Sequence, residues 1–108
     1  MWTAFWQAGG SMRSILQTER ECWWCGANGA VDPLDLHHVY SGPLRGKSEE
    51  YGLTVWLCHH AHHIFGDDAV HRNRSVRELL QRYAQEAAME YYEWTEDDFR
   101  RIFGKSYL

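Results

Sequence analysis

The sequence is short of positive charge, of proline, of cysteine and of long apolar runs. Eleven lysines and arginines stand against fifteen acids, a net charge of −4. Non-specific grip on nucleic acid comes from many cation–phosphate contacts, so a general polyanion binder is excluded and any such role must be local. No uncharged apolar stretch approaches the roughly 18 residues that cross a bilayer, and no basic region followed by an apolar run marks a secretory signal. These absences predict a soluble, cytoplasmic protein with no membrane partner. Cys22, Cys25 and Cys58 are the only cysteines. Three thiols cannot all pair within one chain, which argues against a secreted disulfide framework and leaves metal or redox chemistry. There are no repeats and no low-complexity tracts, and 108 residues suit one compact domain.

What the chain has in quantity is histidine, unevenly placed. All seven, His37, His38, His59, His60, His62, His63 and His71, fall in the middle third. Arg45 and Lys47 follow the first pair, and Arg72, Arg74, Arg77 and Arg82 follow the last. Residues 1–11, uncharged and ending in Gly-Gly-Ser before Met12, read as an appended peptide and linker. The other reading is a native arm that packs Trp2, Phe5 and Trp6. The domain proper is then 12–108.

The pattern predicts an α+β fold. The run from Cys22 to Asn28 suits a zinc knuckle with Gly26 relieving the turn. Asp35–Tyr40 is strand-like, and a polar loop covers Leu44–Glu50. Leu53–Leu57 alternates as a second strand, and a short helix starts at Cys58. Ser75 with Glu78 forms a capping box for a helix reaching Tyr92, with Val76, Leu79, Leu80, Tyr83, Ala87 and Tyr91 on its inner face. Thr95 with Asp98 opens a last helix, Glu96–Phe103, that Gly104 ends.

Cys22, Cys25, Cys58 and one histidine make a full tetrahedral shell for structural Zn²⁺. His62 is favoured as the fourth ligand. His60 is the alternative but sits close to Cys58, and Ala61 offers no donor. The competing reading is a core of free thiols beside unrelated histidines.

Six histidines remain, and here the chain resembles the HNH endonucleases of the ββα-metal superfamily, most closely the small phage-type members. The resemblance is carried by Cys22-Trp23-Trp24-Cys25-Gly26, His37-His38-Val39, Gly42-Pro43-Leu44-Arg45, Tyr51-Gly52-Leu53-Thr54-Val55-Trp56-Leu57-Cys58, His62-His63, Val70-His71 and the closing stretch from Phe99 to Leu108. It implies a small ββα-metal domain with a zinc knuckle and C-terminal helices, and an intracellular setting of phage or prophage origin. It also implies a metal-dependent nuclease acting on DNA, most readily double-stranded, through one divalent cation (Mg²⁺, Mn²⁺, Ni²⁺ or Zn²⁺). His37 and His63 would hold that cation and His38 would be the general base. The family's middle Asn falls at Gly52, so the partner that fixes the His38 tautomer must come from elsewhere.

Several residues keep two readings. His71 completes the metal site or contacts phosphate, or makes a structural hydrogen bond. Arg45 clamps a phosphate, or pairs with Glu49 or Glu50. His59 and His63, four apart on a helix, could chelate together, although His59 also suits solvent. For the chain as a whole, two other function classes stand beside the nuclease: a zinc-stapled module that binds nucleic acid or protein without cutting, and a thiol redox protein built on Cys22 and Cys25.

Overall fold

The computed structural model describes residues 13–108. The expected appended segment lies outside them. The fold is a small α+β arrangement built on a two-stranded antiparallel sheet, β1 (Leu34–His38) and β2 (Thr54–Cys58). Between the strands a 3₁₀ turn at Gly42–Leu44 runs into α1 (Arg45–Glu50), and after β2 comes a π-helix at His59–Ile64. Two helices follow, α2 (Arg74–Tyr92) and α3 (Glu96–Phe103). Among the described residues no helix is long and apolar enough to cross a membrane.

Register places Leu34 opposite Cys58, Leu36 opposite Trp56 and His37 opposite Val55. On the outer face the Arg20 guanidinium lies over the Trp56 indole, 4.5 Å from its centroid, while Leu36 stays exposed. Residues 13–17 run along the other side of β2. Ser14 Oγ donates to the Thr54 carbonyl and the Trp56 amide donates to Gln17 Oε1. Gly52, with φ +74°, is required by this approach, because a Cβ there would lie 2.6 Å from the Arg13 carbonyl oxygen.

The loop expected over Leu44–Glu50 is instead helical. Pro43 presets the first turn, and the buried Ser48 hydroxyl donates to the Tyr40 carbonyl and accepts from the Tyr40 amide. That pair fastens α1 to the end of β1. The strands themselves are shifted from expectation: β1 begins one residue earlier and ends two earlier, and β2 begins and ends one later.

Helix α2 is capped by Asn73 rather than Ser75. Asn73 Oδ1 accepts from the Val76 amide, while Glu78 turns outward to Arg74 at 2.8 Å, so the expected capping box is absent. Its buried stripe is Val76, Leu80, Ala84 and Ala88, with Leu79 and Tyr83 exposed. The inner face is therefore rotated toward small residues, which let α2 approach its neighbours closely. Buried Gln85 belongs to that face because its amide is satisfied, donating to Ser106 Oγ and accepting from the Tyr107 amide. Helix α3 forms as expected, with the Thr95–Asp98 box at one end and Gly104 in the left-handed region at the other. Its Phe99 and Phe103 close the core around Tyr40, whose hydroxyl donates to the Gln81 carbonyl.

Candidate metal centres

The first centre is made by the knuckle, the end of β2 and the π-helix. The Gly26 amide donates to the Cys22 carbonyl, and Gly26 takes φ +80°, which folds Cys22 and Cys25 onto one side of the turn. The Trp23 amide donates to the Trp56 carbonyl and ties the knuckle to β2, which delivers Cys58. Cys25 Sγ and Cys58 Sγ are 3.7 Å apart, and Cys22 Sγ lies 3.6 Å from His62 Nδ1. A zinc tetrahedron with Zn–S bonds of about 2.3 Å and Zn–N of about 2.1 Å has S···S edges of about 3.8 Å and S···N edges of about 3.6 Å. The four donors, all within 4.8 Å of one another, fit that shell and could hold a metal such as zinc. His62 is thus the histidine that completes the cluster.

Charge makes the same case. Burial and the neighbouring thiols push the Cys58 thiol up to about 12. Burial also opposes ionisation of Cys22, but the backbone amides of Cys25, Cys58 and Trp24 outweigh it and lower that thiol. Three thiols this close cannot all become thiolates without a cation between them.

The second centre takes the next residue of the π-helix, His63. His37, His63 and His71 present ring nitrogens within 4.8 Å of one another, graded from buried His37 to exposed His71. His37 and His71 sit edge to face with centroids 5.2 Å apart, and those of His63 and His71 are 4.8 Å apart. Backbone bonding explains the meeting: the His71 amide donates to the His63 carbonyl, and the Val70 amide to that of His62. His37 Nε2 is fully buried and has no hydrogen-bond partner among the described residues. Burial first, then His63, His71 and His38, hold the His37 imidazole down to about 3, so it is neutral and a ready donor. Through neutral imidazole nitrogens the three rings could hold a metal ion.

Acidic residues that the sequence reading did not single out orient these rings. Asp35 Oδ2 accepts from His63 Nδ1 at 2.8 Å and from His59 Nδ1 at 2.6 Å. With Nδ1 bonded to the carboxylate, the His63 lone pair is on Nε2, a carboxylate–histidine arrangement typical of metal sites. Glu49, on α1, accepts from His38 Nε2 at 2.9 Å. A carboxylate can only accept, so the proton sits on Nε2 and the lone pair on Nδ1. Asp32 accepts from the His60 and Ala61 amides and so anchors the start of the π-helix. One signal was available: Asp35 is two residues before His37 on a strand, hence on the same face. Arg45 is exposed on α1. Arg77 donates to the Val70 carbonyl, and its charge helps to lower His71, after burial and His63.

Comparison with family models, with curated proteins and with solved structures finds no match for this chain.

Proposed function

We propose that the protein is a metal-dependent endonuclease of the HNH type that hydrolyses phosphodiester bonds in DNA. The observation that carries this reading is the pairing of His37, buried with an orphaned Nε2 beside His63 and His71, with the adjacent His38, whose Nε2 is engaged by Glu49. Ligand set and base would then be next to each other in the chain but different in hydrogen bonding. The β1–β2–helix order and the Cys22, Cys25, Cys58 and His62 cluster are those expected of a ββα-metal domain stapled by structural zinc.

In this reading His38 Nδ1 takes a proton from water, the water oxygen attacks phosphorus in line, and the bond to the 3′ oxygen breaks. A second water protonates that oxygen, which leaves as a 3′ hydroxyl, the other product keeps a 5′ phosphate, and His38 returns its proton to solvent. A divalent cation held by His37, His63 and His71 would supply charge stabilisation for the departing 3′ oxygen. Asp35 keeps the His63 ring turned toward the cluster, and Glu49 takes the tautomer role that Gly52 cannot fill. Arg77, whose charge acts on His71, is a cation beside these rings, and exposed Arg45 on α1 is the one that the resemblance offers to a phosphate.

The test is cleavage of supercoiled plasmid by the full chain with Mg²⁺, Mn²⁺, Ni²⁺ or Zn²⁺. His38→Ala should lose about 10²–10⁴ in rate while it still binds the ion. Absence of cleavage by the wild-type chain with all four ions, together with retained DNA binding, would leave the zinc-stapled binding module in its place.

A further inference from the structure

His63 belongs to two groups of donors at once. One of its ring nitrogens lies within 4.8 Å of donors on His37 and His71, while its Nδ1 shares the Asp35 Oδ2 atom with His59 Nδ1, at 2.8 and 2.6 Å. Asp35, His59 and His63 also present one donor atom each within 4.8 Å. Two imidazoles and one carboxylate are the donor set of open zinc sites, where water fills the remaining position. The outer group has that opening, since the His59 side chain is 48% exposed and that of Asp35 33%. Donors around zinc sit about 3.3 Å apart. The group therefore needs to spread by about half an ångström, which an exposed His59 ring can provide.

We propose that Asp35, His59 and His63 form a second, solvent-open site for a transition-metal ion such as zinc, in competition with the His37, His63 and His71 cluster for the ring they share. A neutral imidazole has one lone pair. With its proton on Nδ1 and bonded to Asp35, His63 keeps its one lone pair on Nε2 for an ion shared with His37 and His71. When it gives Nδ1 to an ion beside Asp35, its proton moves to Nε2 and the ring faces His37 as a donor instead of a ligand. Filling the outer site thus withdraws His63 from the inner one. Zinc in excess would then silence the inner centre, a consequence that rests on the endonuclease reading, whereas the site itself does not.

Zinc chloride is the probe, and bound zinc is measured by equilibrium dialysis of the full chain beyond the ion held by the cysteines. His71 and His59 are both exposed, so their substitution leaves the core intact. His71→Ala should still bind one further zinc through the outer group. His59→Ala/His71→Ala should bind it at least tenfold more weakly, while His60→Ala/His71→Ala should match His71→Ala, because exposed His60 is not in the group. Loss of the further zinc in His71→Ala alone, or its retention at full affinity when His59 is also removed, overturns the proposal. In the cleavage assay with Mg²⁺ fixed, added zinc should depress the wild-type rate and spare His59→Ala. If no variant cleaves at all, the endonuclease reading falls and the dialysis still decides the site.

Discussion

His62 and His63 are neighbours in sequence whose rings serve different centres: His62 Nδ1 lies 3.6 Å from Cys22 Sγ, while His63 Nδ1 lies 2.8 Å from Asp35 Oδ2. The wide π-helical turn that carries them makes this division workable. The Phe65 and Gly66 amides both reach back to the His60 carbonyl, at 3.0 and 2.8 Å. Such turns are uncommon and concentrate at functional sites, because they rotate consecutive side chains away from the positions an α-helix would give them. A Cys-x-x-x-His spacing and two adjacent histidines that belong to separate donor groups are thereby fitted into six residues.

The thiol cluster predicts one zinc per chain that survives dialysis. Cys22→Ser should lose it and melt well below the wild type, since structural zinc contributes about 10–16 kcal/mol of apparent binding energy that is coupled to folding. His62→Ala should behave similarly and His60→Ala should not. Elemental analysis of dialysed protein, followed by thermal melting, reads both effects. Equal zinc retention in His62→Ala and wild type would remove His62 from the shell.

Backbone crowding at the π-helix predicts opposite outcomes for two glycines. A Cβ on Gly66 would stand 2.1 Å from the Ala61 carbonyl oxygen, so Gly66→Ala must displace the turn that aims His62 and His63, at about 1–3 kcal/mol or more. Gly46, inside α1, has open space where a Cβ would go. Gly46→Ala should stabilise by about 0.4–1 kcal/mol. Chemical denaturation of the two variants beside the wild type gives the comparison.

Local chemistry was the legible part of this sequence. Thr95, Asp98 and Gly104 define α3 because capping bonds span three residues and depend on little else. The cysteines and His62 were readable because few residue types bind zinc. Helix α1 was not, because it is held by Ser48 against Tyr40, a contact that loop polarity does not reveal. Ser75 with Glu78 offered a sound cap that lost to Asn73, whose side chain both caps Val76 and donates to the Asp67 carbonyl. Asp35 shares a strand face with His37 and could be read from that spacing, whereas Glu49 was hidden among fifteen acidic residues and only folding brings it to His38.

The start of α3 gives a pH prediction. The Thr95 amide, then Arg101 and the Thr95 hydroxyl, hold the Asp98 carboxyl below its ordinary value of 3.8. A depressed carboxyl contributes stability that is complete above the unfolded value and is lost as pH falls through the folded one. Asp98→Asn should therefore melt below the wild type at neutral pH, and the gap should close under pH 4. Melting curves from pH 7 down to pH 2.5 test this. A gap that stays constant throughout would mean that the charge of Asp98 adds nothing.

The sharpest prediction for the proposed chemistry concerns Glu49, which belongs to none of the donor groups found among the described residues. Its bond to His38 Nε2 keeps the lone pair on Nδ1, so its loss should free the tautomer and lower kcat without changing metal affinity. Glu49→Ala should cost about 10–100-fold in kcat, the range usual for partners of site histidines. Glu49→Gln keeps an oxygen that can accept from Nε2–H and should recover most of the rate. Removing Asp35 acts differently, because that carboxylate orients a ligand: Asp35→Ala should weaken ion binding at His37, His63 and His71 by about 10–100-fold. Steady-state kinetics with saturating cation, beside dialysis for affinity, separate the two. If Glu49→Ala weakens ion binding as much as Asp35→Ala does, Glu49 supports the cluster as a whole and the assignment of His38 as a distinct base loses its structural basis.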